Sequence, residues 1–144
     1  MQDLLQSIGQ DLGHLVTPYL LNYLLYLVGG GVLTTIFSTI YMWFTPYNEL
    51  ALIRAGHSAA ALSFAGSVIG FALTLAACAI YHTSFTAFVG WATAAMIVQL
   101  LGYVITARLI PDLKQQMLNN NIAVGGFVGA IGLALGILNA GCLS

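Results

Sequence analysis

Four long apolar stretches separated by short polar ones organise this chain. The expected spans run from Tyr19 to Phe44, Ser58 to Tyr81, Phe85 to Ile110 and Ile122 to Leu143. Each would be about 33–39 Å long at 1.5 Å per helical residue. That suffices to cross a hydrocarbon core with some tilt. Residues 1–17 follow a different pattern. Leu4, Leu5, Ile8, Leu12 and Leu15 share one helical stripe, and Asp3, Gln6, Gln10 and Asp11 lie opposite. This predicts an amphipathic helix lying in the membrane interface, ended by Pro18. The expected fold class is all-α: a polytopic membrane protein with four transmembrane helices and an N-terminal amphipathic helix.

Composition supports the membrane reading. Of 144 residues, 60% are apolar and 5% charged. Soluble domains carry roughly a quarter charged residues. A chain this poor in charge needs membrane lipid over most of its surface. Net charge is −1 with no basic patch, which points away from nucleic acid as a partner. The N-terminus lacks a cationic region, so a cleavable signal is not expected and the first span would act as its own insertion signal.

The cations give an orientation. Arg54 and Lys114 lie in the polar connectors 45–57 and 111–121, and Arg108 ends the third span. The positive-inside rule makes both connectors cytoplasmic and both termini external. The turn at 82–84 is then external too, and it has no Lys or Arg. Tyr19, Tyr23 and Tyr26, with Tyr41, Trp43 and Phe44, would form aromatic belts at the two ends of span one.

The two halves look alike, as a tandem duplication of a two-helix unit covering 18–81 and 82–144. Each half reads as a span, a proline opening a short polar helix, then a span rich in small residues. Pro46 would correspond to Pro111, and His57–Gly66 to Asn120–Gly129. Repeats of two spans keep one orientation, so their axis would run along the membrane normal.

Two small-residue stripes stand out. Span two carries Ser63, Gly66, Gly70 and Thr74, and span four carries Gly125, Gly129, Gly132 and Gly136, continued by Asn139. Such faces let helix backbones approach closely. They could pack within one subunit, join subunits or wall a narrow pore. Gln99 and Asn139 are the strongest polar groups in the spans, and each must face protein or water. The hydroxyls of Thr34, Thr35, Ser38 and Thr39 can bond back to the preceding turn. Gly29–Gly31 would bend that helix or accept a close neighbour.

In Thr45-Pro46-Tyr47-Asn48-Glu49, Thr45 could cap the next helix and Pro46 fit its first position. Glu49 would sit in the first turn, where an anion is favoured, and Gly56 would end the helix. A pairing of Glu49 with Arg108 would tie the connectors together. Asn48, Glu49, Arg54, His57, Arg108 and Lys114 are thus candidates for a cytoplasmic mouth or docking surface. Nothing suggests catalysis. There is no Walker, GxSxG or HExxH motif, and no acidic residue lies within a span. No metal or cofactor site is expected, since His14, His57 and His82 are scattered. Cys78 and Cys142 are too few for a disulfide framework, though an oxidising compartment would permit one bridge.

The motifs Thr45-Pro-Tyr-Asn-Glu49, His57–Gly66 with Gly70, Gln99-Leu100, Arg108, Asn121–Gly129 and Gly136-Ile-Leu-Asn-Ala-Gly-Cys142 resemble a known bacterial inner-membrane family. It is domain of unknown function 350 (UPF-0719, YjfL-like). The resemblance covers roughly residues 22–143. His57 stands where the family pattern has Asn. The resemblance implies a four-span bacterial inner-membrane protein built by duplication, without an assigned activity, working beside envelope-stress proteins.

The expected function is non-enzymatic: a small self-associating channel or permeation module. The alternative is a membrane scaffold that recruits a cytoplasmic partner through its two connectors. Labelling in intact cells should place residues beside Arg54 and Lys114 on the same, cytoplasmic side. Labels on opposite sides would overturn the topology.

Overall fold

A computed structural model describes residues 2–82 and 84–143, with backbone alone for 3–5, 7–12, 14 and 15. The described residues form six helices: α1 (Gln2–Phe44), α2 (Glu49–Arg54), α3 (Ser58–Tyr81), α4 (Phe85–Leu109), α5 (Leu113–Leu118) and α6 (Ile122–Cys142). Four are long and apolar enough to cross a membrane: Val16–Phe44 of α1, α3, α4 and α6. The last three begin where hydropathy placed them and end within one residue of it.

The break expected at Pro18 does not occur, because α1 continues through it for 43 residues. Proline's fixed φ suits a helix, and its missing N–H removes one backbone bond. The Thr17 hydroxyl donates to the Gly13 carbonyl at 2.7 Å in the same region. Most of the amphipathic stripe expected in 1–17 lies outside the residues whose side chains are described. Thr34, Thr35 and Thr39 donate to carbonyls four residues back, at 2.8, 2.9 and 2.8 Å, as their chemistry predicts.

The centre of the bundle is the α3–α6 pair. Gly66, Gly70, Gly125, Gly129 and Gly136 each leave no room for a side chain, because a carbonyl of the opposite helix occupies that space. Gly66 abuts Gly129, Gly136 abuts Gly70, and Gly125 abuts Ala59. Gly132 rests on Ser67. The two small-residue stripes therefore pack face to face within one chain.

Helix α4 crosses this pair and buries Phe88, Ala92, Ala95, Met96, Gln99 and Tyr103. Helix α1 joins through Leu33, Phe37 and Tyr41, four residues apart and all buried. Phe37 stacks on Phe71 with ring centres 4.5 Å apart, and Tyr41 meets Tyr103 at 4.6 Å. Tyr41 is thus a core residue and not part of an aromatic belt. Trp43, 84% exposed, suits one. Gly29 accepts the Phe85 ring, while Gly30 and Gly31 face open space.

The connectors fold differently from the local expectation. The cap of α2 is Asn48, whose side chain accepts from the Ala51 N–H at 3.0 Å. Thr45 instead donates to the Met42 and Tyr47 carbonyls, at 3.0 and 3.3 Å. Pro46 therefore precedes the helix and does not open it. Asn wins because its carbonyl oxygen reaches the orphan N–H three residues on. Gly56, with φ of 84°, ends α2 as expected. The His57 N–H bonds the Leu52 carbonyl at 2.9 Å and the Gly56 N–H that of Ile53 at 3.0 Å. Asn120, with φ of 54°, ends α5 in the same way. Its N–H bonds the Met117 carbonyl at 3.1 Å, and the Asn121 N–H bonds that of Gln116 at 2.9 Å. These are matching left-handed helix ends.

Substituting Gly129 or Gly136 with Ala should destabilise the protein by at least about 1–3 kcal/mol, since backbone cannot yield to the new methyl. Gly90→Ala, where nothing lies within 4 Å, should be tolerated. Unfolding in detergent monitored by circular dichroism measures both. Equal effects at the three positions would refute the packing argument.

Candidate functional site

Polar side chains gather at two levels. The first is the α3–α6 seam. Gln99, 2% exposed, donates its amide Nε2 to the Gly132 carbonyl at 2.6 Å and to the Ser67 carbonyl at 3.4 Å. One α4 side chain thereby bonds both helices of the central pair. Thr74 donates to the carbonyls of Gly70 at 3.2 Å and Gly136 at 3.0 Å. Ser67 donates to the Ser63 carbonyl at 3.1 Å. Asn139 donates to the Ala95 carbonyl of α4 at 3.3 Å. Close helix contact exposes carbonyls to neighbours, and these donors occupy them. Ser63, Gly66, Gly70, Thr74, Gln99, Gly125, Gly129, Gly132, Gly136 and Asn139 are brought together here as helix packing.

The second level is the end of the bundle that holds both connectors. Glu49 lies in the first turn of α2 yet is 1% exposed. Neither carboxylate oxygen has a hydrogen-bond partner. The hydroxyls of Tyr47 and Tyr103, also buried, lack partners too. Tyr41 shares a hydrogen bond with Ser63 Oγ at 3.2 Å. The charge of Glu49 is felt by the phenols of Tyr41, Tyr47 and Tyr103, which places all three in its neighbourhood. Burial pushes the Glu49 carboxyl up to about 7, opposed by the Thr45 hydroxyl, which approaches it without a well-formed hydrogen bond. Burial, and then the nearby Glu49 charge, push the Tyr47 phenol up to about 12.

The expected Glu49–Arg108 pair is not formed. Glu49 turns inward, whereas Arg108 is exposed at the last turn of α4, where a cation suits the helix dipole. Arg54 and Lys114 are exposed as well. The connectors are joined by neutral bonds instead. Asn120 Oδ1 accepts from the Ala59 N–H at 2.9 Å, so the second connector caps α3. His57 Nδ1 lies 3.4 Å from the Met117 carbonyl, and Asn121 caps its own helix through Val124 N–H at 3.3 Å. Cys78 and Cys142 are both free thiols, the first buried and the second exposed. Among the described residues no group of His, Cys, Asp and Glu could hold a metal ion through three such ligands.

The sequence marked neither Tyr47 nor Tyr103 as a site residue, and it offered Tyr41 only as a belt residue and Asn120 only as a repeat match. Tyr103 lies one turn from Gln99, which was a usable signal for a polar face on α4. Nothing local marked Tyr41, because tyrosine near a span end usually sits at the headgroups.

The model of the family described as Domain of Unknown Function (DUF350) matches residues 12–143. The chain is 35% identical over 125 residues to the UPF0719 inner membrane protein YjfL of Escherichia coli (strain K12), covering 87% of this chain and 95% of that one. It is 30% identical over 103 residues to the UPF0719 transmembrane protein YshE of Bacillus subtilis (strain 168), covering 69% and 77%. No solved structure matches the chain.

The raised Glu49 carboxyl has a thermodynamic consequence. Between pH 4.5 and about 7 the folded protein holds a proton that the unfolded chain has released. Stability should be highest below this window and fall as pH rises through it. At low salt, Glu49→Gln should flatten that decline and leave the variant more stable at pH 8, by on the order of 2 kcal/mol. Unfolding temperatures at pH 5 and pH 8 test it, and parallel profiles for the two proteins would contradict the assignment.

Proposed function

The chain belongs to the family described as Domain of Unknown Function (DUF350), and we propose that it is a non-enzymatic, multi-pass bacterial inner-membrane protein. It works as a self-associating permeation module whose path runs between copies. The inner-membrane assignment rests on the four apolar helices and on the relative so described in Escherichia coli.

One contrast supports the rest. The α3–α6 seam is filled by backbone, whereas only Leu33, Phe37 and Tyr41 are buried in the spanning part of α1. Beside it lies an open groove of about 740 Å³ between α1 and α3, lined by residues including Asn22, Tyr26, Gly30, Gly31, Ala79 and Ile80. A Cβ added at Gly30 or Gly31 would meet nothing within 4 Å. Gly31, Thr35 and Thr39 form an exposed stripe of small and hydroxyl residues at four-residue spacing. In lipid, helices associate through such close-approach faces and not through apolar surface. A second copy seated there would complete α1's packing and enclose its hydroxyls.

The same reading keeps the tandem duplication, supported by two six-residue connector helices with matching left-handed ends. It keeps both connectors cytoplasmic and both termini external, on the evidence of the three cations. A scaffold role has a separate support: Arg54, Arg108 and Lys114 stay exposed on the connector surface and outnumber its one exposed acid, Asp112. Glu49 is withdrawn from that surface, so an acidic partner is the better fit.

In a Cys142→Ser background, Gly31→Cys should cross-link between copies in membranes, while Ile97→Cys on exposed α4 should not. Vesicles holding the protein should pass small ions above background, and Gly31→Leu should abolish both association and flux. A protein that stays monomeric refutes self-association. A cross-linked oligomer without flux refutes permeation and turns attention to the scaffold role, in which Lys114→Glu should abolish partner capture.

A further inference from the structure

The buried polar cluster at the connector end is left unexplained by helix packing. Glu49 has two carboxylate oxygens without a partner, in a residue 1% exposed. The phenol oxygens of Tyr47 and Tyr103, in residues 7% and 4% exposed, are also buried without a well-formed hydrogen bond, and they interact with each other. Unmade bonds of this kind cost roughly 1–3 kcal/mol each, and more for an ion. A cluster of such groups needs an occupant.

The polar groups that interact with Glu49 come from three parts of the chain. Tyr41 is supplied by α1, Thr45 and Tyr47 by the connector, and Tyr103 by α4. None is cationic. Arg54, Arg108 and Lys114 are all exposed, and the His57 ring is turned to the Met117 carbonyl. Tyr41 is committed to Ser63, and Thr45 to two backbone carbonyls. An ionised Glu49 therefore has no counter-charge of its own.

We propose that the Glu49 carboxylate and the phenol oxygens of Tyr47 and Tyr103 form a binding site for one monovalent alkali cation. The ligand atoms are hard oxygens, which suit alkali and alkaline-earth ions over softer metals. The charge count selects between these two classes. One carboxylate neutralises one positive charge, whereas a divalent ion would leave a surplus charge in a poorly solvated place. Access exists from the connector surface. An open hollow of about 580 Å³ reaches Glu49 and is lined also by Trp43, Thr45, Pro46, Tyr47 and Asn48. Protons and the cation compete for the same carboxylate. This site goes beyond the permeation reading, because binding requires neither flux nor a second copy.

The test uses the full chain purified in detergent. Unfolding temperature at pH 8.5 is followed with NaCl or KCl against choline chloride at equal ionic strength. One or both alkali salts should raise it in a saturable way. With the carboxyl near pH 7, the half-saturating concentration should rise about ten-fold on going to pH 6. Glu49→Gln should abolish the response, Tyr103→Phe should weaken it several-fold, and Lys114→Gln should leave it unchanged. Tyr103→Phe keeps the ring and serves if the Glu49 variant does not fold. The proposal is overturned if all three salts give the same curve, if the response survives Glu49→Gln or Tyr103→Phe unchanged, or if CaCl2 stabilises more strongly at equal ionic strength. An overturned cation site alongside intact flux leaves the permeation reading standing, and the reverse result separates them equally well.

Discussion

The contact between α3 and α6 is the constraint on which the rest of the bundle depends. Two helices approach until carbonyl groups of one occupy the places where side chains of the other would stand. Lipid tails are as apolar as leucine, so hydrophobic burial does little to hold helices together inside a membrane. Close van der Waals contact and hydrogen bonding must do that work. Glycine at Gly66, Gly129 and Gly136 makes the contact possible. Gln99, Thr74 and Asn139 then take up carbonyls along or beside the seam.

The other elements sort themselves around that seam. Helix α4 supplies the Gln99 amide that bonds both central helices, so it is held by polar as well as apolar contacts. Helix α1 reaches only one of the two, through the hydrogen bond between Tyr41 and Ser63 of α3. Its attachment is a row of large side chains, Leu33, Phe37 and Tyr41, against Phe71 and Tyr103. Much of its length remains available to lipid or to another protein copy.

The connectors carry the chemistry that packing does not use. Local rules correctly put an acidic residue in the first turn of α2 and a left-handed glycine at its end. They did not reveal that α2 would dock with Glu49 facing the tyrosines. Pairing with Arg108 looked natural because the two charges are opposite and both lie at the connector end. An exposed ion pair contributes little, and the chain instead joins its connectors through Asn120, which caps α3 from the second half. The result is an isolated carboxyl with a raised affinity for protons.

Hydropathy alone determined that there are four long apolar helices, where three of them start, and where the polar connectors lie. Those features follow from bonds and solvation within each segment, so they are written locally. The αL ends of the connectors and the hydroxyl back-bonds of α1 belong to the same class, although the competition between Thr45 and Asn48 for the cap did not resolve locally. Only the tertiary structure decided that the two glycine stripes face each other, that Tyr41 is core and that Glu49 is buried. A stripe of small residues states that something approaches closely, without saying what. The partner is chosen by the fit of surfaces far apart in sequence, and each orphaned polar group at the connector end is a consequence of that choice.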